Sequence, residues 1–221
     1  MRHLVLVVAT VAVFLVAQPA SAEPSILGPT GLIANPTADI TPVDHLWVSL
    51  NYFDVNGSAV WNSGVSGSIS DNIELGAGAI HPNKGDNGFS FFVKWLFAPE
   101  QENIPGGAAG ITVADIGNRN SATWYVVGSK FFSFDKSADD NAAVHGGVSY
   151  TTGDGDSDFD FFGGADVEVS KNYLAVVEYN SDRSSAFQGF TCGVRHYFSP
   201  EWTGQVALID GHLHLGGCYE F

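Results

Sequence analysis

The stretch His212-Leu213-His214-Leu215-Gly216-Gly217-Cys218-Tyr219-Glu220-Phe221 alternates between two kinds of position. Leu213, Leu215, Gly217, Tyr219 and Phe221 leave one face, while His212, His214, Gly216, Cys218 and Glu220 leave the other. That is the period of a β-strand, whose successive side chains point to opposite sides of the sheet. One face is apolar, and it ends on an aromatic with nothing polar beyond it. A strand that closes a lipid-facing barrel has this form, with its last aromatics in an interfacial girdle. Tyr219 and Phe221 are accordingly expected to be the assembly signal that the barrel-assembly machinery reads. A soluble sandwich ending on the same strand is the alternative.

The same alternation runs back through the chain. Leu46, Val48, Leu50 and Tyr52 share a parity, as do Trp61, Val65 and Ile69, and Phe89, Phe91, Val93, Trp95 and Phe97. Short polar breaks such as Ser70-Asp71-Asn72, Ser170-Lys171-Asn172 and Ser199-Pro200-Glu201 separate the runs. The spacing predicts about twelve strands of roughly ten residues, each long enough for a tilted bilayer crossing. An even count puts both ends of the chain on one side of the membrane. Repeated aromatics near strand ends favour lipid over a sandwich. The expected fold is therefore all-β: a single-domain antiparallel transmembrane β-barrel over residues 45–221.

Residues 1–22 read as a cleaved signal peptide. Arg2 and His3 precede an apolar run from Leu4 to Ala17, and Ala20-Ser21-Ala22 supplies small residues for cleavage. The run is too short for a bilayer helix of about 20 residues. Export followed by barrel closure predicts an outer-membrane location, with outer-membrane lipids as the surrounding partner. With the N-terminus periplasmic, the outward loops fall near Val55 to Ser58, Pro82 to Asn87, Gly117 to Ser121, Gly153 to Asp158, Asp182 to Ser185 and Asp210-Gly211, all short. The net charge of −15 argues against nucleic acid as a partner. Alternation places Cys192 and Cys218 on opposite faces of different strands, so no disulfide is expected between them.

Residues 23–44 form a Pro- and Gly-rich lead-in that Pro24, Pro29 and Pro36 keep from being a regular helix. Its Gly28-Pro29-Thr30-Gly31-Leu32-Ile33 followed by Asn35-Pro36-Thr37-Ala38 resembles the opening of YjbH-type proteins. Tyr125 to Lys130 and the acidic-aromatic run from Phe161 to Glu168 are similar to that family as well. The resemblance implies an outer-membrane barrel that supports exopolysaccharide export or surface polysaccharide production. Polysaccharide and envelope export proteins would then be its partners. Many members of the family are far longer, so this chain corresponds to a single short barrel module.

Charges at inward-reading positions are the candidate functional residues: Glu74, Lys94, Lys130, Asp166, Glu168, Glu178, Arg195 and Glu220. A basic residue facing lipid at mid-depth costs about 2–4 kcal/mol, which favours the lumen for such groups. They either pair and fill the interior or line a polar path. The first outcome makes a closed structural barrel, the second a porin-like one. The run Asp154-Gly155-Asp156-Ser157-Asp158 has alternating oxygens but departs from the EF-hand template, with Phe159 where glycine is required. No His-Glu-x-x-His and no paired-cysteine spacing occurs, so no metal or cofactor is expected. No Gly-x-Ser-x-Gly singles out a nucleophile. The chain reads as a non-enzyme, with a lipid-modifying barrel as the outlying alternative.

Overall fold

The computed structural model describes residues 23–55, 57–116, 119–133, 142–153, 156–182 and 187–221. The signal peptide expected over 1–22 lies outside the described residues. So do parts of four expected outward loops, among them Asp154 and Gly155 of the acidic run.

Twelve strands follow in chain order: β1 Leu46–Val55, β2 Ser58–Ser70, β3 Ile73–Pro82, β4 Gly88–Ala98, β5 Gly106–Ile116, β6 Arg119–Phe132, β7 Ala142–Gly153, β8 Asp156–Ser170, β9 Tyr173–Asn180, β10 Gly189–Tyr197, β11 Trp202–Ile209 and β12 His212–Glu220. Each pairs antiparallel with its chain neighbours, and β1 pairs with β12, so the sheet is a closed barrel. Closure gives every strand two partners and leaves no edge whose backbone groups would meet lipid unpaired.

The two parities separate as the sequence requires. Leu46, Val48 and Leu50 are exposed on the outside of β1, while Trp47, Ser49, Asn51 and Phe53 are buried inside. Across the outer surface the exposed side chains are largely apolar. Phe89, Phe190 and Phe198 stand 57%, 69% and 68% exposed. A water-facing surface of this kind would aggregate, whereas a lipid-facing one is at rest. Aromatics gather in two bands. One holds the pairs Trp95–Phe97, Tyr173–His196 and Trp202–Tyr219–Phe221, at the end where β1 begins and β12 stops. The other holds Tyr52–Trp61, Trp124–Tyr150 and Phe161–Tyr179–Phe190, toward the opposite end. The first end is the terminal mouth.

Three pairings slip register, at Ser68/Ser70, Leu96/Ala98 and Glu168/Ser170, all beside turns at the terminal mouth. The tenth strand is shorter than the expected run of Phe187 to Phe198. Phe187 turns into the lumen instead, and its ring meets that of Phe53 at 5.3 Å. Cys192 is exposed and Cys218 buried, both as free thiols. A membrane-permeant maleimide is therefore expected to modify Cys192 in the folded barrel and both thiols only after unfolding, which intact-mass measurement reads directly.

The lead-in does not trail outside. Ile26, Leu32, Ile33, Ala34 and Ala38 are buried within the barrel. The segment is a knot of turns: Ile26 N–H donates to Ile33 O, Gly31 N–H to Glu23 O and Leu32 N–H to Asn35 O. Gly31 is required at its centre, because a Cβ there would stand 2.3 Å from Asn35 O. Asp44, in the left-handed region at φ 71°, turns the chain from the lumen into the wall; a short side chain able to bond locally tolerates that conformation best.

Candidate functional site: a plugged lumen

Inward positions of the wall grip residues 23–38 from opposite sides. One grip lies on the β3–β4 hairpin. Glu74 Oε1 accepts Thr30 N–H at 2.8 Å, and Oε2 accepts the Thr30 hydroxyl. Directly across the ladder from Glu74, Lys94 Nζ donates to Thr30 O at 2.8 Å. Both charged side chains are fully buried, 3.9 Å apart.

The second grip lies on β9 and β10, diametrically opposite in the twelve-strand ring. Glu178 Oε1 accepts the Ile33 and Ala34 N–H groups at 2.7 and 3.0 Å, and Oε2 accepts the Asn35 N–H and Nδ2 at 2.8 Å each. A carboxylate facing three successive backbone N–H groups is a nest-type contact, with charge-assisted bonds stronger than neutral ones. Arg195 Nη2 donates to Leu32 O at 3.1 Å, and its Nε lies 2.8 Å from Glu23 Oε2. Thr203 holds the other Glu23 oxygen. Each side thus supplies one acid and one base, and residues 30–35 span the lumen between them as a strut.

Shape complements charge. The Cδ1 atoms of Leu32 and Ile33 rest over Gly164 and Gly193, where a Cβ would come within 2.5 Å. Above them Ile26 joins Phe53, Val60, Ile80, Phe187 and Ile209 in an apolar cluster toward the end away from the terminal mouth. Gly193→Leu is expected to unseat the strut at a cost of about 1–3 kcal/mol, the usual overpacking penalty. Faster proteolysis of the lead-in, with the barrel still heat-modifiable on gels, is the expected readout.

The remaining predicted charges lie toward the terminal mouth. Asp166 Oδ2 is 2.8 Å from His145 Nε2. Glu168 is half-buried with no partner among the described residues. Glu220 pairs with His45. Lys130 corrects the expectation: it shares the parity of the exposed Trp124, Val126 and Phe132, so it belongs to the outer row, not the lumen. It meets Glu100 of the β4–β5 turn at the rim, which keeps its charge out of lipid. Tyr219 and Phe221 close the outer aromatic band.

Sequence reasoning missed Glu23, Thr30 and Asn35 on the lead-in, and Ser129 and His145 on the wall. His145 carries inward parity beside the outward Val144 and Val148, so the alternation alone marked it. Ser129, inward on β6, accepts Ala38 N–H at 2.7 Å and lies 2.7 Å from His145 Nδ1.

No family model matches the sequence, and no curated protein matches it. Solved structures do. A KdgM porin in complex with disordered oligogalacturonate superposes with a TM-score of 0.60 at 12% identity, covering 79% of this chain and 99% of that one. The NanC porin gives a TM-score of 0.54 at 10% identity over 80% and 98% of the two chains. The Acinetobacter baumannii outer membrane protein Omp33 gives 0.51 at 8% identity over 80% and 96%. The fold is that of outer-membrane porins. The chain is an outer-membrane β-barrel, and its own residues 30–35 cross the lumen as a strut.

Proposed function

We propose that this barrel is held closed by its own residues 23–44 and serves surface exopolysaccharide production as a docking wall in the outer membrane. The observation that carries this reading is the strut. The stretch that resembles YjbH-type proteins, Gly28 to Ala38, is the stretch that four buried charges and a row of small wall residues are arranged to hold. A segment gripped through Glu74, Lys94, Glu178 and Arg195 is part of the working structure. A docking role requires no covalent chemistry, and export proteins of the envelope would be the partners. In a host lacking this gene, the wild-type chain is expected to restore surface polysaccharide. Unchanged polysaccharide in the deleted host would overturn the reading.

A porin-like passage is the second reading, favoured by the fold shared with the KdgM and NanC porins. The strut would then be a gate. The charges around it suit neutral or cationic solutes better than anionic ones, since Lys94 and Arg195 each already face a buried acid.

A further inference from the structure

We propose that Ser129 is a latent nucleophile for short acyl esters, activated by His145 and Asp166 and capped by the strut. The three residues stand on adjacent strands β6, β7 and β8, all facing the lumen near the terminal mouth. Ser129 and His145 are direct partners in the ladder, and Asp166 lies on the diagonal beyond.

The hydrogen bonds define the proton positions. Ala38 N–H donates, so Ser129 Oγ accepts it, and the Ser129 hydroxyl proton is free to point at His145 Nδ1. Nε2 then carries the ring proton and donates it to Asp166 Oδ2 at 2.8 Å. This is the tautomer a general base needs: a lone pair toward the hydroxyl, and a carboxylate behind to orient the ring and stabilise its cation. Phe131 sets its ring edge-on to His145 and restricts the imidazole further.

Ala38, whose N–H is bonded to Ser129, is buried in a cluster with Ala108, Tyr125, Val127 and Phe162. When the limb lifts, the place that the Ala38 methyl now fills would be vacated, and a group the size of an acetyl methyl could take it. Ser129 is 1% exposed, so an ester reaches it only when the limb around Ala38 lifts. In the reaction Ser129 Oγ bonds to the ester carbonyl carbon and its proton passes to His145 Nδ1. Collapse breaks the bond to the alkoxy oxygen, which leaves as the alcohol with that proton. Water repeats the sequence, releasing the carboxylic acid and restoring Ser129. The neighbouring strand N–H groups are committed to the ladder rather than to an oxyanion. The expected signature is therefore covalent labelling and a burst, with slow turnover.

The test treats the purified full chain in detergent micelles with a fluorophosphonate probe and with p-nitrophenyl acetate. Adducts are located by peptide mass mapping. The wild type is expected to label slowly and only at Ser129. Glu178→Ala, which loosens the strut, should label at least about tenfold faster. Ser129→Ala should abolish the adduct, and His145→Gln and Asp166→Asn should slow it by about a hundredfold, the usual range for a general base. Heat-modifiability on gels confirms that each variant is folded. An adduct at another residue, no adduct in folded Glu178→Ala, or labelling indifferent to His145→Gln would each overturn the proposal.

Discussion

Glu178→Ala is expected to release the strut while leaving the barrel closed on itself. The carboxylate is the acceptor for three consecutive backbone N–H groups and one side-chain amide. Orphaning buried donors costs about 1–3 kcal/mol each, more when the lost acceptor was charged. Water entering the vacated volume offsets part of that. A net loss of about 3 kcal/mol still raises the unseated population more than a hundredfold. The wall loses nothing comparable, because Glu178 contributes to β9 through its backbone, and that pairing is unchanged. Hydrogen exchange should show protection of residues 26–38 falling by that factor, with strand amides unaltered. Equal loss of protection in strut and strands would mean that Glu178 supports the barrel as a whole.

Arg195→Ala should have the second large effect, by a different route. Arg195 compensates Glu23, whose carboxylate is fully buried, and also donates to the Leu32 carbonyl. Removing one partner of a buried pair strands the other, at about 3–5 kcal/mol. Glu23 can escape that cost only by leaving the lumen and drawing the start of the segment with it. Arg195→Lys keeps the charge but loses the planar fork that serves Glu23 and the carbonyls together, so an intermediate loss is expected. Adding Glu23→Gln to Arg195→Ala should recover much of the seating, since no buried charge then lacks a partner. Protease sensitivity near residue 23 ranks the variants. No recovery in the double variant would place the role of Arg195 in the wall alone.

The barrel was legible because its rule is local. Alternation in runs such as Phe89 to Phe97, punctuated by Ser70-Asp71-Asn72 or Ser170-Lys171-Asn172, fixes parity and strand number without knowledge of any distant contact. Residue type misled where parity did not: Lys130 reads as a lumen charge by type, yet it follows Ser129 onto the outer face and is rescued at the rim by Glu100. The strut was not legible for the opposite reason. Leu32 and Ile33 form no periodic pattern, and their seats, Gly164 and Gly193, lie far along the chain on other strands. Two opposed acid–base sets become a grip only once β3–β4 and β9–β10 stand across a ring. The Ser129, His145 and Asp166 relay is hidden in the same way, spread over three strands with no motif spacing. A usable signal did exist. A lead-in with Ile26, Leu27, Leu32 and Ile33 is too apolar for a solvated tail, and the barrel interior was the nearest place to bury it.

Single-channel conductance in a planar bilayer tests the central claim most directly, with the folded wild type measured beside the Glu178→Ala and Arg195→Ala variants. A lumen crossed by the strut predicts a nearly silent wild type and variants that open in discrete steps. A wild type that conducts as well as the variants would contradict the account, because residues 23–44 would then leave the lumen open while seated.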